Sequence, residues 1–230
     1  MNKQAGFTLI ELAIVLVIIG LLLGGVLKGQ ELINSARVKN MASDFRNVQV
    51  FIYGYQDRFR AVPGDDAAVD AHLGAACVPS CAAASPAGLQ GNGVIDGAWD
   101  TLTGGDETCV FWQHVRLANL APGTSVVDCA NAGSTYVARN ASGGRFGVQS
   151  VGAAGNFVTI VDPVPMTGSY VACSQGIQGN FATQLDTLLD DGETSTGSVR
   201  AVVNSGDASP TSADITLNNP STPMIVCMVF

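Results

Sequence analysis

Lysine is nearly missing from this chain. All three, Lys3, Lys28 and Lys39, lie within the first forty residues. Beyond Arg60, four arginines (Arg116, Arg139, Arg145 and Arg200) face 15 acidic residues, a net charge of −11. A body this acidic repels a phosphate backbone and offers no basic stripe, which argues against direct nucleic-acid binding through it. Histidine is equally scarce. His72 and His114 stand without a companion motif, so each reads as a partly buried or surface residue rather than a catalytic one. G-x-S-x-G, a P-loop lysine and H-E-x-x-H are all absent. Gly91-Asn92-Gly93 is no dinucleotide fingerprint, because Asp96 stands where the third glycine belongs. An enzyme is therefore the weakest functional reading. Charged residues make up only 13% of the 230 and hydrophobic ones 47%, which excludes an intrinsically disordered chain.

No cysteine precedes Cys77, and six follow: Cys77, Cys81, Cys109, Cys129, Cys173 and Cys227. An even number confined to one part of the chain points to disulfides in an oxidising compartment. Six thiols allow 15 pairings, and sequence alone cannot choose among them. Proximity and order suggest Cys77–Cys81, Cys109–Cys129 and Cys173–Cys227. Zinc is the rival reading, weakened because no C-x2-C pair occurs.

Proline is absent before Pro63, and Phe7 to Leu27 holds one charged residue, Glu11. At 1.5 Å per residue this stretch reaches about 31 Å, enough to cross a bilayer's hydrocarbon core. Lys3 precedes it, so the positive-inside rule puts the N-terminus in the cytoplasm and the body outside; Lys28 blunts that signal. A cleavable signal peptide fits poorly, since Leu21–Leu27 offers only a weak small-residue cleavage site. A plain anchor has no use for a carboxylate in its apolar run. Burying one in lipid costs a few kcal/mol at least, so Glu11 calls for a partner, and no cation lies within its own run. Gly20 and Gly24 form a G-x-x-x-G, a weak helix-packing signal.

Ala5-Gly6-Phe7-Thr8-Leu9-Ile10-Glu11-Leu12 resembles the processing site of type IV prepilins and type II secretion pseudopilins. The resemblance implies cleavage after Gly6 by a membrane prepilin peptidase, then N-methylation of Phe7. It matches Glu11 to the family's glutamate and implies assembly with like or related pilin subunits on an inner-membrane platform. Cleavage leaves a cationic amine on Phe7. When subunits stagger, Glu11 of one meets the Phe7 amine of its neighbour, relieving a buried charge and setting register together. The resemblance covers only the first thirty residues or so. Many major pilins carry a proline soon after the apolar run; this chain has none there, and Gly24, Gly25 and Gly29 are placed to permit local unwinding.

Val38, Met41, Phe45, Val48, Ile52, Tyr55 and Phe59 recur at helical spacing, one apolar stripe on a stem. Continuous with the apolar run, this predicts a helix of roughly 50 residues, about 75 Å long, stopped by Pro63-Gly64. Arg60-Ala61-Val62-Pro63-Gly64-Asp65-Asp66 also resembles a stretch found in pilin-like proteins after this helix, with Asp65 and Asp66 read as solvated. Ala67 to Pro86 reads as loop. Asp106 is placed to cap a helix running to Asn119, and Asn180 another to Leu189. Strand patterns fall at Thr135–Arg139, Arg145–Val151, Phe157–Asp162, Tyr170–Cys173, Val199–Val203 and Met224–Phe230, as in a meandering antiparallel sheet. The expected class is α+β and pilin-like, a long helix on an antiparallel sheet. The expected order is leader 1–6, transmembrane segment 7–27, stem 28–60 and extracytoplasmic body 61–230.

One turn, Gln90 to Gly97, together with Asp100, Asp106 and Glu107, offers oxygen donors for calcium, Asn92, Asp96 and Asp100 above all; resemblance to pseudopilins, some of which bind calcium, implies the ion. It departs from an EF-hand at Gln90, Asn92 and Val94, and a solvated turn is the plainer reading. Leu189-Asp190-Asp191-Gly192-Glu193 is a second acidic turn. No other cofactor is expected. The expected function is a structural subunit of a type IV pilus-like filament. A pseudopilin of the secretion machinery is the alternative, and a membrane-anchored binding domain that never polymerises the further one.

Overall fold

The computed structural model describes residues 8–74, 77, 81, 89–131, 133–151, 166–203 and 221–230. Its dominant element is α1, Leu9–Phe59, a single helix of 51 residues and about 75 Å. Both ends have local causes. Thr8, in extended conformation, caps the N-terminus, and Arg60 closes the C-terminus in the left-handed region (φ 56°), with its N–H on the Gln56 carbonyl. The stop therefore comes three residues before Pro63, on a residue other than the usual glycine.

Val38, Met41, Phe45, Val48, Ile52 and Tyr55 of the stripe are buried, together with Ala42; Phe59 is half-buried against Tyr55 and His72. Burial of a side chain such as Phe45 or Ile52 contributes about 1.5–3 kcal/mol. The stem packs on α3 (Glu107–Leu117) and α4 (Gly179–Leu189). A single turn, α2, spans Val69–Leu73 where loop was expected.

The sheet contains β1 (Phe146–Ser150), β2 (Tyr170–Gln178), β3 (Val199–Val203) and β4 (Pro223–Val229). All neighbours are antiparallel and the order is β1-β2-β4-β3, so this is no meander. β4 enters between β2 and β3, because α4 carries the chain from β2 away to the far edge. Alternation sorts the side chains by face. Phe146, Val148, Tyr170, Ala172, Val199, Ala201, Met224, Val226 and Met228 join the stem in one core. Val171, Cys173, Val202, Ile225 and Cys227 pack with Trp99 on the other face.

Several expected elements shift. Thr135–Arg139 is irregular, although Tyr136 and Val137 are buried, and only Arg139 bridges to Arg145. The Tyr136 hydroxyl donates to the Cys109 carbonyl and Arg116 takes the Tyr136 carbonyl, so its backbone is anchored to α3 instead of to a strand. Asp106 stands at the cap of α3 without bonding it, its carboxylate being engaged by the Thr101 hydroxyl. Gln178, not Asn180, precedes α4. Phe157–Asp162 lies outside the described residues.

Candidate functional site

Gly6 and Phe7 lie outside the described residues; the site begins at Thr8. The Glu11 N–H donates to Thr8 Oγ1 (3.4 Å), while Glu11 Oε2 accepts from the Thr8 N–H (2.8 Å) and from its hydroxyl (2.7 Å). This is a reciprocal capping box. Glu11 therefore has polar partners inside its own subunit, neither of them the cation that the sequence reading called for. The T-x-x-E spacing carried that signal. One carboxylate thus nucleates the helix end and remains exposed to whatever lies beside it.

From Leu9 to Arg37 no residue of α1 is buried. This arm is about 43 Å long and comes alongside α4 only near its end, at Ser35. Lys28 and Glu31 pair across one turn at 2.6 Å, both well exposed, so the pair adds little stability. Beyond it Leu32 and Ile33 present further uncovered apolar surface. Among the described residues α1 is the one helix long and apolar enough to span a membrane.

Where the stem meets the body, carboxylates expected in solvent are buried. Asp65 is 2% exposed and accepts from the amides of Gly91 (2.5 Å), Asn92 (3.2 Å) and Gly93 (2.7 Å). Burial pushes its carboxyl up while these amides pull it back. Asp66 accepts from the Tyr55 hydroxyl (2.7 Å) and meets His72 Nδ1 (2.7 Å). His114 is fully buried: its Nδ1 accepts from the Gly64 N–H and its Nε2 faces the Cys81 carbonyl. Nε2 must then carry the proton, so the ring is neutral, and burial lowers its pKa. Both histidines are fasteners of the turn after the stem.

Of the expected calcium residues, Asn92 and Asp96 meet through their side chains. Asn92 Oδ1 accepts from Val94 and its amide donates to Asp96 Oδ2. The Asp96 backbone N–H donates to Glu107 Oε2 (2.8 Å), and Asp100 lends its charge to Arg145. Glu107 is fully buried and its carboxyl is pushed up to about 7, first by burial and then by the charges of Asp65, Asp96 and Asp106. A different set converges: Asp186, Asp190 and Asp191, with one carboxylate oxygen from each within 4.8 Å of the others.

Three disulfides join the cysteines in their order along the chain: Cys77–Cys81, Cys109–Cys129 and Cys173–Cys227. The last links directly facing residues of β2 and β4. With no free cysteine, no thiolate remains for zinc. A cleft of about 460 Å³ lies beside the stem, lined by Asp44, Phe51, Trp112, Arg116 and Phe146. Arg116 is committed to the carbonyls of Pro122, Thr124 and Tyr136.

Residues 1–27 match the family described as the prokaryotic N-terminal methylation motif, the signature of type IV prepilins and pseudopilins. No curated protein and no solved structure matches the chain. The N-terminus is thus that of the type IV pilin or pseudopilin class, a structural class rather than an enzymatic one. The motif implies processing by a prepilin peptidase and assembly with other pilin subunits. With the single apolar helix, it fits an anchor in the inner membrane.

Proposed function

We propose that this protein is a structural subunit of a type IV pilus-like filament and not an enzyme. It enters the inner membrane by residues 7–27 with its N-terminus cytoplasmic and its body outside. Prepilin peptidase removes residues 1–6, Phe7 is methylated, and an assembly platform draws the subunit into a fibre that reaches the cell surface. The observation that carries this reading is the bare arm: from Leu9 to Arg37 no side chain is buried within the subunit. Lipid covers that surface before assembly and neighbouring arms cover it afterwards. Glu11 then exchanges its Thr8 hydrogen bonds for the Phe7 amine of the next subunit, a charge pair in a dry interface that fixes the stagger.

N-terminal sequencing of the mature protein tests the processing: it starts at N-methylated Phe7, and a mature chain starting at Met1 defeats the proposal. Sheared surface fibres containing the subunit support the pilus. Loss of protein export on deletion, without surface fibres, supports the pseudopilin, which the same arm would serve. The large disulfide-bonded body favours the exposed fibre.

A further inference from the structure

The cleft beside the stem has aromatic walls and holds two charges of opposite sign, neither with a counterion among the described residues. Phe51 from α1, Trp112 from α3 and Phe146 from β1 line it, and its volume of about 460 Å³ is that of a small-ligand site. Asp44 lines it from the stem, half-buried, with no hydrogen-bond or ion-pair partner among the described residues. Burial pushes its carboxyl up to about 6, and no nearby cation draws it back. At neutral pH it is an unpaired carboxylate. Arg139, exposed at the rim, donates to the Gly143 carbonyl instead.

Arg116 lines the same cleft from α3 and is 9% exposed. Nε donates to the Pro122 carbonyl, Nη1 to those of Thr124 and Tyr136, and the guanidinium lies over the rings of Trp112 (5.4 Å) and Tyr136 (5.0 Å). Gly123 makes room for it: at φ 118°, a Cβ there would stand 2.8 Å from Nε. Nη2 makes no hydrogen bond among the described residues and is still reached by solvent. Three carbonyls thus fix the plane of the group, but no carboxylate among the described residues cancels its charge. What remains is a rigid donor aimed at an anion.

We propose that this cleft binds a short apolar peptide with free ends, its ammonium on Asp44, its carboxylate on Arg116 Nη2 and its side chains against Phe51, Trp112 and Phe146. A plain amine would leave the arginine unmatched, and an apolar acid would leave Asp44 unmatched. An occupant charged at both ends satisfies the two together. The charges come from different helices across a cleft larger than one amino acid fills, which suits the span of a dipeptide better. The described lining begins at Asp44, clear of the bare arm, so occupancy does not depend on assembly through that arm.

The test is titration of the full-length protein in detergent at neutral pH with the dipeptide Leu-Phe, read by tryptophan emission. Trp112 lines the cleft and reports its filling, whereas Trp99 packs on the other face of the sheet. A saturable change in emission is expected. The N-acetylated dipeptide and the C-terminal amide should each bind about tenfold or more weakly, since each strands one charge. These blocked forms test Arg116 without disturbing the carbonyls it holds. Asp44→Asn should weaken the free dipeptide by a similar factor and leave the N-acetylated form unchanged. Absence of a saturable change overturns the proposal. So does equal binding of the blocked and free forms, which marks apolar filling alone, or an undiminished affinity in Asp44→Asn.

Discussion

The arm and the body of this subunit are built on opposite terms. Between Leu9 and Arg37 the chain takes its structure entirely from local interactions, the capping box and the helical hydrogen bonds, and buries nothing. From Val38 onward, structure comes from distant partners: Phe45 meets Phe146 edge to face at 5.1 Å, Gln56 donates to the Tyr170 hydroxyl, and Asp65 collects amides more than twenty residues away. A segment stable without tertiary contacts is free to trade lipid for protein neighbours. A body whose contacts are internally satisfied can ride on it unchanged.

The sharpest test of this division is removal of the Cys173–Cys227 link. Replacing both cysteines by alanine should destabilise the body by about 2–5 kcal/mol, read by denaturant unfolding, while the far-UV helical signal of the arm persists. Next is Gly64→Ala. Gly64 sits at φ 96°, and a Cβ there would lie 2.6 Å from the Glu107 carbonyl oxygen, so a loss of about 2–3 kcal/mol is expected in the same measurement.

Glu107→Gln should act in the opposite direction. Native Glu107 titrates near 7 against an ordinary value of 4.5, so the folded state binds its proton more tightly and the unaltered protein loses stability as pH rises between those values. The variant should match the unaltered protein at pH 4 and gain about 1–3 kcal/mol by pH 8, seen in Tm against pH. Glu11→Ala should cost about 1 kcal/mol at the first turn of α1 and leave the body's Tm in place. Its large consequence should be functional: loss of incorporation into fibres, checked by shearing and blotting. Leu32→Ala, on the exposed arm, should shift body stability by less than about 0.5 kcal/mol.

What the sequence disclosed follows the same boundary. The stripe from Val38 to Tyr55 was legible because 3.6-residue periodicity is a local property, and so was β3, a short run with three valines in five residues at Val199–Val203. The α+β class followed from those two periods. Sheet order did not, since nothing local tells β4 to enter between β2 and β3. Asp65, Glu107 and Asp186 were illegible for a related reason: carboxylates are ordinarily solvated, and only the folded chain shows which ones are enclosed. Arg60 ended the helix ahead of Pro63 although it carries neither proline's ring nor glycine's freedom. At the candidate site, Glu11 could be read as a carboxylate in oil, while its bond to Thr8 went unread though the spacing announced it.

The position of β4 has a consequence for how the subunit is made. β2 and β3 both precede in the chain the strand that separates them, so until residues 223–229 arrive each presents an open edge to the other. Pairing them prematurely would yield a three-stranded sheet with Cys173 deprived of its mate. Closure of the sheet therefore waits on the last strand made, and the cysteine carried by that strand records whether it took its place.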